Sequence, residues 1–380
     1  MKTAQRISLG AVLLLAACGD SSPTGSGVNP ENSLRTFDFS AFEAEVDAFI
    51  ADNAEVEGVG AIIVHRDEGV VLKRGFGNYH EDRISLIASS SKMITAGVLL
   101  RLQDQGILDM NEPIVEAVGE WGNDNPAITP AQLVSNSSGL VGLGPDPTYG
   151  PYLCQYLFTG TLQDCARQIF TTDQDDADVI PPDTEFRYGG AQWQVAGAVA
   201  EIVSGKSWAE LIDETYTQPC GLTALGYNNH FVQVMAEDGD PFGYPPAFDG
   251  NPGVLLPSDN PNMEGGVYTS IADYGELLLM HLRGGMCGEN RVLSEAAVAQ
   301  LHEDRVARTY GNGPGYGMGW WVDRQNPSLI TDPGAYGSTA WLDEDRGYGA
   351  FLVIEVTSDL GSTLTRRTIG HVNEAIDAAG

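Results

Sequence analysis

The sequence predicts an α+β domain: an antiparallel sheet formed by both ends of the chain, flanked by helices, with a mostly helical lobe inserted between them. Three observations lead there. Two apolar runs, 60–65 and 70–76, flank Arg66-Asp67-Glu68-Gly69 and read as a hairpin near the amino end. Beyond Gly311, three strand-like segments (316–322, 336–342 and 348–356) are separated by turns. Between these two groups, helical stretches alternate with loops rich in Pro and Gly. Strands at the two ends of a chain, with helices between, imply that the ends meet in one sheet.

The elements follow in order. Lys2 and Arg6 precede an apolar run over 7–17, too short for a bilayer span, which ends Leu15-Ala16-Ala17-Cys18-Gly19. This resembles a bacterial lipoprotein signal, so residues 1–17 are expected to be a signal peptide and Cys18 the lipidation site. The chain would then be exported and anchored in the cell envelope by acyl chains alone. Residues 18–36, rich in Ser, Gly, Pro and Asn, read as a flexible tether. Phe42, Val46, Phe49 and Ile50 carry helical spacing over 39–51. Met93, Ile94, Val98, Leu99 and Leu102 give a buried helix over 89–106. Further helices are read over 193–203, 208–216, 271–282 and 364–379. The folded part is expected over 37–380, with an α/β lobe at about 37–90 and 292–380 and a helical lobe at about 91–291.

Charge narrows the partners. The chain of 380 residues has 20 Lys plus Arg against 52 Asp plus Glu, a formal net charge of −32. Phosphate contacts need clustered cations, so nucleic acid is excluded as a partner. Anionic substrates are disfavoured at long range. A hydrophobic fraction of 42% excludes a disordered chain. No protein partner is indicated.

Export accounts for the cysteines. Apart from Cys18 there are four, Cys154, Cys165, Cys220 and Cys287, which suggests two disulfides with three possible pairings. Cys154 with Cys165 would close a short loop and leave Cys220 for Cys287. No Cys-x-x-Cys or His-Glu-x-x-His pattern occurs, so no metal site or cofactor is expected. The acidic run from Asp173 to Asp178 reads as a solvated loop.

The chemistry-bearing segment is Ser89-Ser90-Ser91-Lys92. Ser89 and Lys92, three apart at the start of a helix, fall on one face. A serine hydroxyl is a weak nucleophile that needs an adjacent base. A lysine serves as that base when burial and neighbours lower its pKa. Lys92 stands among apolar and small residues, and the chain has only three other lysines, Lys2, Lys73 and Lys206. Taken alone, Ser-x-x-Lys is better read as a helix cap with a snorkelling lysine.

Context adds to it. Leu108-Asp109-Met110-Asn111-Glu112-Pro113, Ile128-Thr129-Pro130-Ala131-Gln132-Leu133, Ser137-Ser138-Gly139-Leu140, Phe186-Arg187-Tyr188, Gly265-Gly266-Val267-Tyr268 and Tyr316-Gly317-Met318-Gly319-Trp320 follow the serine motif in order. With it, residues 59–380 resemble the serine β-lactamase and penicillin-binding-protein superfamily, in its class C-like branch with family VIII esterases and D-aminopeptidases. The resemblance implies a β-lactamase/transpeptidase-like fold and a nucleophile at Ser89 paired with Lys92. Tyr188 falls on the second motif, usually Tyr-x-Asn, where it would act with the lysine as general base and acid. Here the motif reads Tyr188-Gly189-Gly190, without the asparagine. The third motif, usually Lys-Thr-Gly or His-x-Gly, reads Asp332-Pro333-Gly334. The backbone N–H groups of Ser89 and Ala335 would form the oxyanion hole. Gly190, Asp332 and Gly334 would contact substrate, Gly334 by letting its backbone approach closely.

The expectation is therefore a serine hydrolase forming an acyl-enzyme on a small-molecule ester or amide, with a carboxylesterase-type activity on small esters first. Asp332 in place of a cation argues against efficient penicillin hydrolysis and leaves, as the alternative, a D-amino-acid amidase or peptidase pairing with a substrate ammonium, or a weak β-lactamase. A non-catalytic binding lipoprotein is the alternative of another class. No Gly-x-Ser-x-Gly elbow occurs, and the six histidines show no triad spacing.

Overall fold

The computed structural model describes residues 35–122, 125, 127–172, 177–236, 239–240, 242–307 and 313–380. The expected signal peptide, Cys18, nearly all of the tether and the acidic residues 173–176 lie outside the described residues.

Seven antiparallel strands form the main sheet. From the amino end come β1 (Gly58–His65) and β2 (Gly69–Gly77), the anticipated hairpin, with Gly69 at φ +80° closing its turn. A short β3 (Ile84–Leu86) pairs elsewhere, with β5 (Val267–Ser270), which also pairs with β4 (Gly226–Tyr227). A two-residue hairpin follows, β6 (Met286–Cys287) and β7 (Asn290–Arg291). The carboxyl part then supplies β8 (Gly315–Tyr316), β9 (Trp321–Val322), β10 (Leu329–Pro333), β11 (Thr339–Asp343) and β12 (Tyr348–Val353). The order across the sheet is β2-β1-β12-β11-β10-β9-β8, so the two ends of the domain join at β1 and β12.

Two of the anticipated carboxyl-terminal strands are redrawn. Residues 316–322 form two strands about a turn at Gly319 (φ +88°), and β11 begins at Thr339 because Tyr336–Ser338 belong to a turn. β10 is a strand that hydrophobic periodicity alone did not mark.

The sheet buries both faces. On one, Val59, Ala61 and Ile63 of β1 pack with Phe42, Val46 and Phe49 of α1 (Ser40–Asp52) and with Leu364, Val372 and Ile376 of α11 (Ser358–Ala379). On the other, Ile62 and Val64 join the larger core, as the two-residue period of a strand requires. That core also takes α2 (Lys92–Asp104), α3 (Val115–Val118), α4 (Pro130–Val134), α5 (Leu162–Phe170), α6 (Gln192–Ser204), α7 (Trp208–Ile212), α9 (Ile271–Leu282) and α10 (Glu295–His302). A short α8 (Gln218–Cys220) follows α7 through a π-helical stretch. Burying a side chain such as Phe42 contributes roughly 2–3 kcal/mol.

The sequence-based lobe boundary is corrected at α9. This helix lies against β1, where a Cβ on Gly275 would come 2.4 Å from Ile62 Cδ1, so residues 271–282 cover the sheet. The helix is apolar nearly all round, which is why it reads as interior from sequence. Disulfides join Cys154 to Cys165 and Cys220 to Cys287, with Cα separations of 5.5 and 5.0 Å.

Candidate active site

The three serines of 89–91 occupy a 3₁₀ turn (Ala88–Ser91) that runs directly into α2. Each hydroxyl has a different task. Ser90 Oγ donates to the carbonyl of Asp332 at 2.7 Å and shares a 2.9 Å hydrogen bond with Ser338 Oγ. Ser91 Oγ donates to Ala88 O at 2.6 Å and accepts from Val267 N–H at 3.1 Å. These bonds pin the turn to β10 and β5. Ser89 is the partly exposed member of the three, and its Oγ lies 2.8 Å from Lys92 Nζ. Ala88 holds φ +44°, in the left-handed region that non-glycine residues seldom occupy, at the point where the chain enters the turn.

Lys92 is fully buried. Its Nζ donates to Ser89 Oγ and to the carbonyl of Glu264 at 3.1 Å, and stands 3.2 Å from Glu264 Oε2. It also lies 4.7 Å from the centroid of the Tyr188 ring, so one ammonium group links nucleophile candidate, tyrosine and carboxylate. Burial pulls the lysine toward the neutral amine, but the oxygens of Tyr188, Glu264 and Asp332 more than offset this and raise its pKa. The sequence-based expectation of a lowered lysine pKa is thus corrected: desolvation is present, but the acidic groups around Lys92, Tyr188 and Glu264 first among them, outweigh it.

Tyr188 is carried by a loop ordered from Asn136. The Asn136 side-chain oxygen accepts from Gly189 N–H (2.9 Å) and Trp193 Nε1 (2.9 Å), and its backbone carbonyl accepts from Arg187 N–H. Phe186, Tyr188, Tyr316 and Trp321 then form an aromatic wall, with Tyr188 and Trp321 centroids 5.1 Å apart. A cavity of about 530 Å³ opens beside it, lined by Val141, Tyr149, Phe186 and Tyr188 among others. A larger cavity of about 960 Å³, between α6, α7 and β4, contains none of Ser89, Lys92 or Tyr188.

The residues expected to contact substrate are placed otherwise. Gly190 is buried and its N–H is already donated to Glu264 Oε2 at 2.8 Å. Asp332 is 1% exposed: Tyr274 Oη donates to its Oδ2 at 3.4 Å, and the backbone N–H of Met93 also faces the carboxyl group. Burial drives its pKa well above the ordinary carboxylate value, against the pull of Lys92. A carboxyl group enclosed in this way does not reach a substrate ammonium, so the pairing suggested by the amidase alternative is withdrawn. The physical reason is strand alternation, which turns this side chain into the interior. Gly334 is needed for a different neighbour than expected: a Cβ there would meet Ile87 O at 2.2 Å and Ser338 Oγ at 2.3 Å, so the glycine lets β10 close onto the serine turn. Ala335 is exposed in the following turn, which is fixed by Gly334 N–H to Ser338 O and Gly337 N–H to Gly334 O.

Sequence reasoning missed Glu264 and Asn136. Glu264 is the only charged residue between Asp259 and Asp273, immediately before Gly265-Gly266, and a lone charge in an otherwise neutral stretch was the available signal.

Sheet, inserted helices and serine turn together define the architecture of the serine β-lactamase and penicillin-binding-protein superfamily. The Beta-lactamase family model matches residues 46–369, and the chain belongs to that family. By that membership it is a serine hydrolase of the β-lactamase-like superfamily. It is similar to penicillin-binding protein 4 of Amycolatopsis lactamdurans, 24% identical over 275 residues, covering 68% of this chain and 65% of that one. It is similar also to esterase EstB of Burkholderia gladioli, 23% identical over 313 residues, covering 73% and 75%. Among solved structures, EstCE1, a hydrolase with promiscuous acyltransferase activity, superposes with a TM-score of 0.68 at 18% identity, over 89% of this chain and 99% of that one. Among the described residues no helix is long and apolar enough to cross a membrane.

Proposed function

We propose that this protein is a carboxylesterase-type hydrolase of small neutral esters, with Ser89 as nucleophile. The observation that carries the reading is the 2.8 Å contact between Lys92 Nζ and Ser89 Oγ at a serine that stays partly exposed while its two neighbours are buried and bonded away. Ser89 attacks the ester carbonyl and its proton passes to the phenolate oxygen of Tyr188, whose ring centre lies 4.7 Å from Lys92 Nζ. The tetrahedral oxyanion is held by the backbone N–H groups of Ser89 and Ala335, each such donor contributing about 2.7–4 kcal/mol to the transition state. The alcohol leaves with the proton returned from Tyr188, and water hydrolyses the acyl-enzyme by the same route. The aromatic wall of Phe186, Tyr188 and Trp321 suits an acyl or aryl group, and the chain's charge of −32 disfavours an anionic substrate. No cationic side chain takes the place of the usual third-motif lysine, since Asp332 stands there, buried. Export and anchoring through a lipid on Cys18 complete the proposal, on the sequence signal alone.

The test is turnover of short-chain aryl esters together with mapping of a fluorophosphonate adduct. Ser89→Ala is expected to abolish both while the thermal transition stays in place. Undiminished turnover in that variant ends the proposal, and a well-folded protein that neither turns over esters nor takes the adduct is the binding lipoprotein instead.

A further inference from the structure

Glu264 lies 172 residues from Lys92 in sequence and is buried beside it, 5% exposed against a lysine that is fully enclosed. Both of its polar ends are used toward the site. Its backbone carbonyl accepts from Lys92 Nζ, and its carboxylate faces the same nitrogen at 3.2 Å while accepting from Gly190 N–H at 2.8 Å. The chain makes room for it: a Cβ on Gly189 would come within 2.5 Å of Glu264 Oε2, and both Gly189 and Gly190 hold positive φ. Two successive glycines where the second motif usually carries an amide side chain, and a carboxylate in the space they leave, form one arrangement.

A lone ammonium this deeply buried would shed its proton. The groups that face Lys92 are Ser89 and its own helix's start, Tyr188 from the 188–190 loop, Glu264 from the segment before β5, and Asp332 from β10. Glu264 in turn is near the phenols of Tyr156 and Tyr316, neither of which supplies a positive charge. Lys92 is therefore the cation that the carboxylate answers, and the reverse.

We infer that Glu264 is a positioning residue that holds Lys92 as an ammonium ion, so that the lysine acts on Ser89 as a hydrogen-bond donor and fixed positive charge and not as the amine that takes its proton. The role in catalysis rests on the reading of Ser89 as nucleophile; the ionisation of Lys92 does not.

With only four lysines in the chain, the side chain can be observed directly. The full chain, carrying ¹³C at lysine Cε, is titrated by NMR from pH 5 to 10, with the Lys92 signal assigned by Lys92→Met. In the native protein the Lys92 resonance is expected to stay at the ammonium position through pH 9. In Glu264→Gln, which keeps the shape and an acceptor but not the charge, it should titrate at least about two pH units lower. A Lys92 that is already a neutral amine at pH 7 in the native protein overturns the inference, and this needs no variant to fold. Identical titration in native and Gln proteins overturns it as well. Fluorophosphonate labelling of Ser89 is measured on the same samples. An ammonium signal as expected with Ser89 unlabelled leaves the Lys92–Glu264 assignment standing and removes the hydrolase reading.

Discussion

Two buried carboxyl groups flank Lys92, and they are built on opposite plans. On the side of the second motif, Glu264 is 5% exposed and engaged through Oε2, which meets the ammonium of Lys92 and the N–H of Gly190. On the side of the third motif, Asp332 is 1% exposed, receives a long hydrogen bond from Tyr274 and the backbone N–H of Met93, and makes no ion pair with Lys92. The same chemical group is thus an ion-pair partner in one place and is pushed by burial toward its protonated form in the other. What separates them is the direct contact with Lys92 that Glu264 makes, because burial is common to both. Their positions also differ in consequence: the glutamate organises the nitrogen that touches Ser89, whereas the aspartate helps fill the space where β10 meets the start of α2.

The largest effect should come from breaking the engaged side. Glu264→Ala strands the Lys92 ammonium in the interior, and removal of one partner from a buried ion pair costs about 3–5 kcal/mol. Urea unfolding at pH 7.5 measures this directly. Replacing both partners, as Lys92→Met with Glu264→Met, should recover most of that loss while leaving ester turnover absent. If the single and double variants are equally destabilised, packing and not charge holds this region, and the contrast with Asp332 disappears.

Gly189→Ala should act on the same side by a smaller amount. Its backbone sits at φ +66°, and the added Cβ would come 2.5 Å from Glu264 Oε2 and 2.6 Å from Leu143 Cδ1. Left-handed strain of roughly 1–2 kcal/mol combines with displacement of the carboxylate, for a total loss of about 2 kcal/mol. The informative readout is ester turnover as a function of pH. A loss of stability with an unchanged profile would mean that the carboxylate can shift without disturbing Lys92.

These two sides were unequally legible in the sequence. The hairpin of β1 and β2 and the helix after Ser89 follow from local periodicity, and Ser89, Lys92 and Tyr188 are brought to one place from motifs in a fixed order. Glu264 gave no such sign, since its importance lies in a contact across 172 residues and in the absence of side chains at 189 and 190. Asp332 was visible as a departure from pattern, but its direction was not. A five-residue strand carries no internal mark of which face its fourth residue takes until the register with β11 (Asp332 opposite Ala340) is known. The same holds for Gly334, whose tight neighbour is the Ile87 carbonyl of a distant turn.

The smallest effect, and the one of opposite sign, belongs to Asp332→Asn. Because burial raises the native pKa of Asp332 above the unfolded value, the folded protein binds a proton here that the unfolded chain has released. Stability contributed by this site is therefore complete below the unfolded pKa of about 3.9 and is lost as pH rises toward the native pKa, at no more than about 1.4 kcal/mol per pH unit. Asparagine matches the protonated carboxyl in shape, keeps an oxygen for Tyr274, and has no proton to lose. At pH 4 the two proteins should be equally stable to within about 0.5 kcal/mol. At pH 7 the variant should be the more stable of the two, because it carries no group whose proton the native fold must keep. Turnover of neutral esters and of cationic amides should change in equal proportion, since the group does not reach the substrate. A selective loss on the cationic amide would return Asp332 to the substrate side of the sheet, and a variant less stable than the native protein at pH 7 but not at pH 4 would make it a second counter-ion like Glu264.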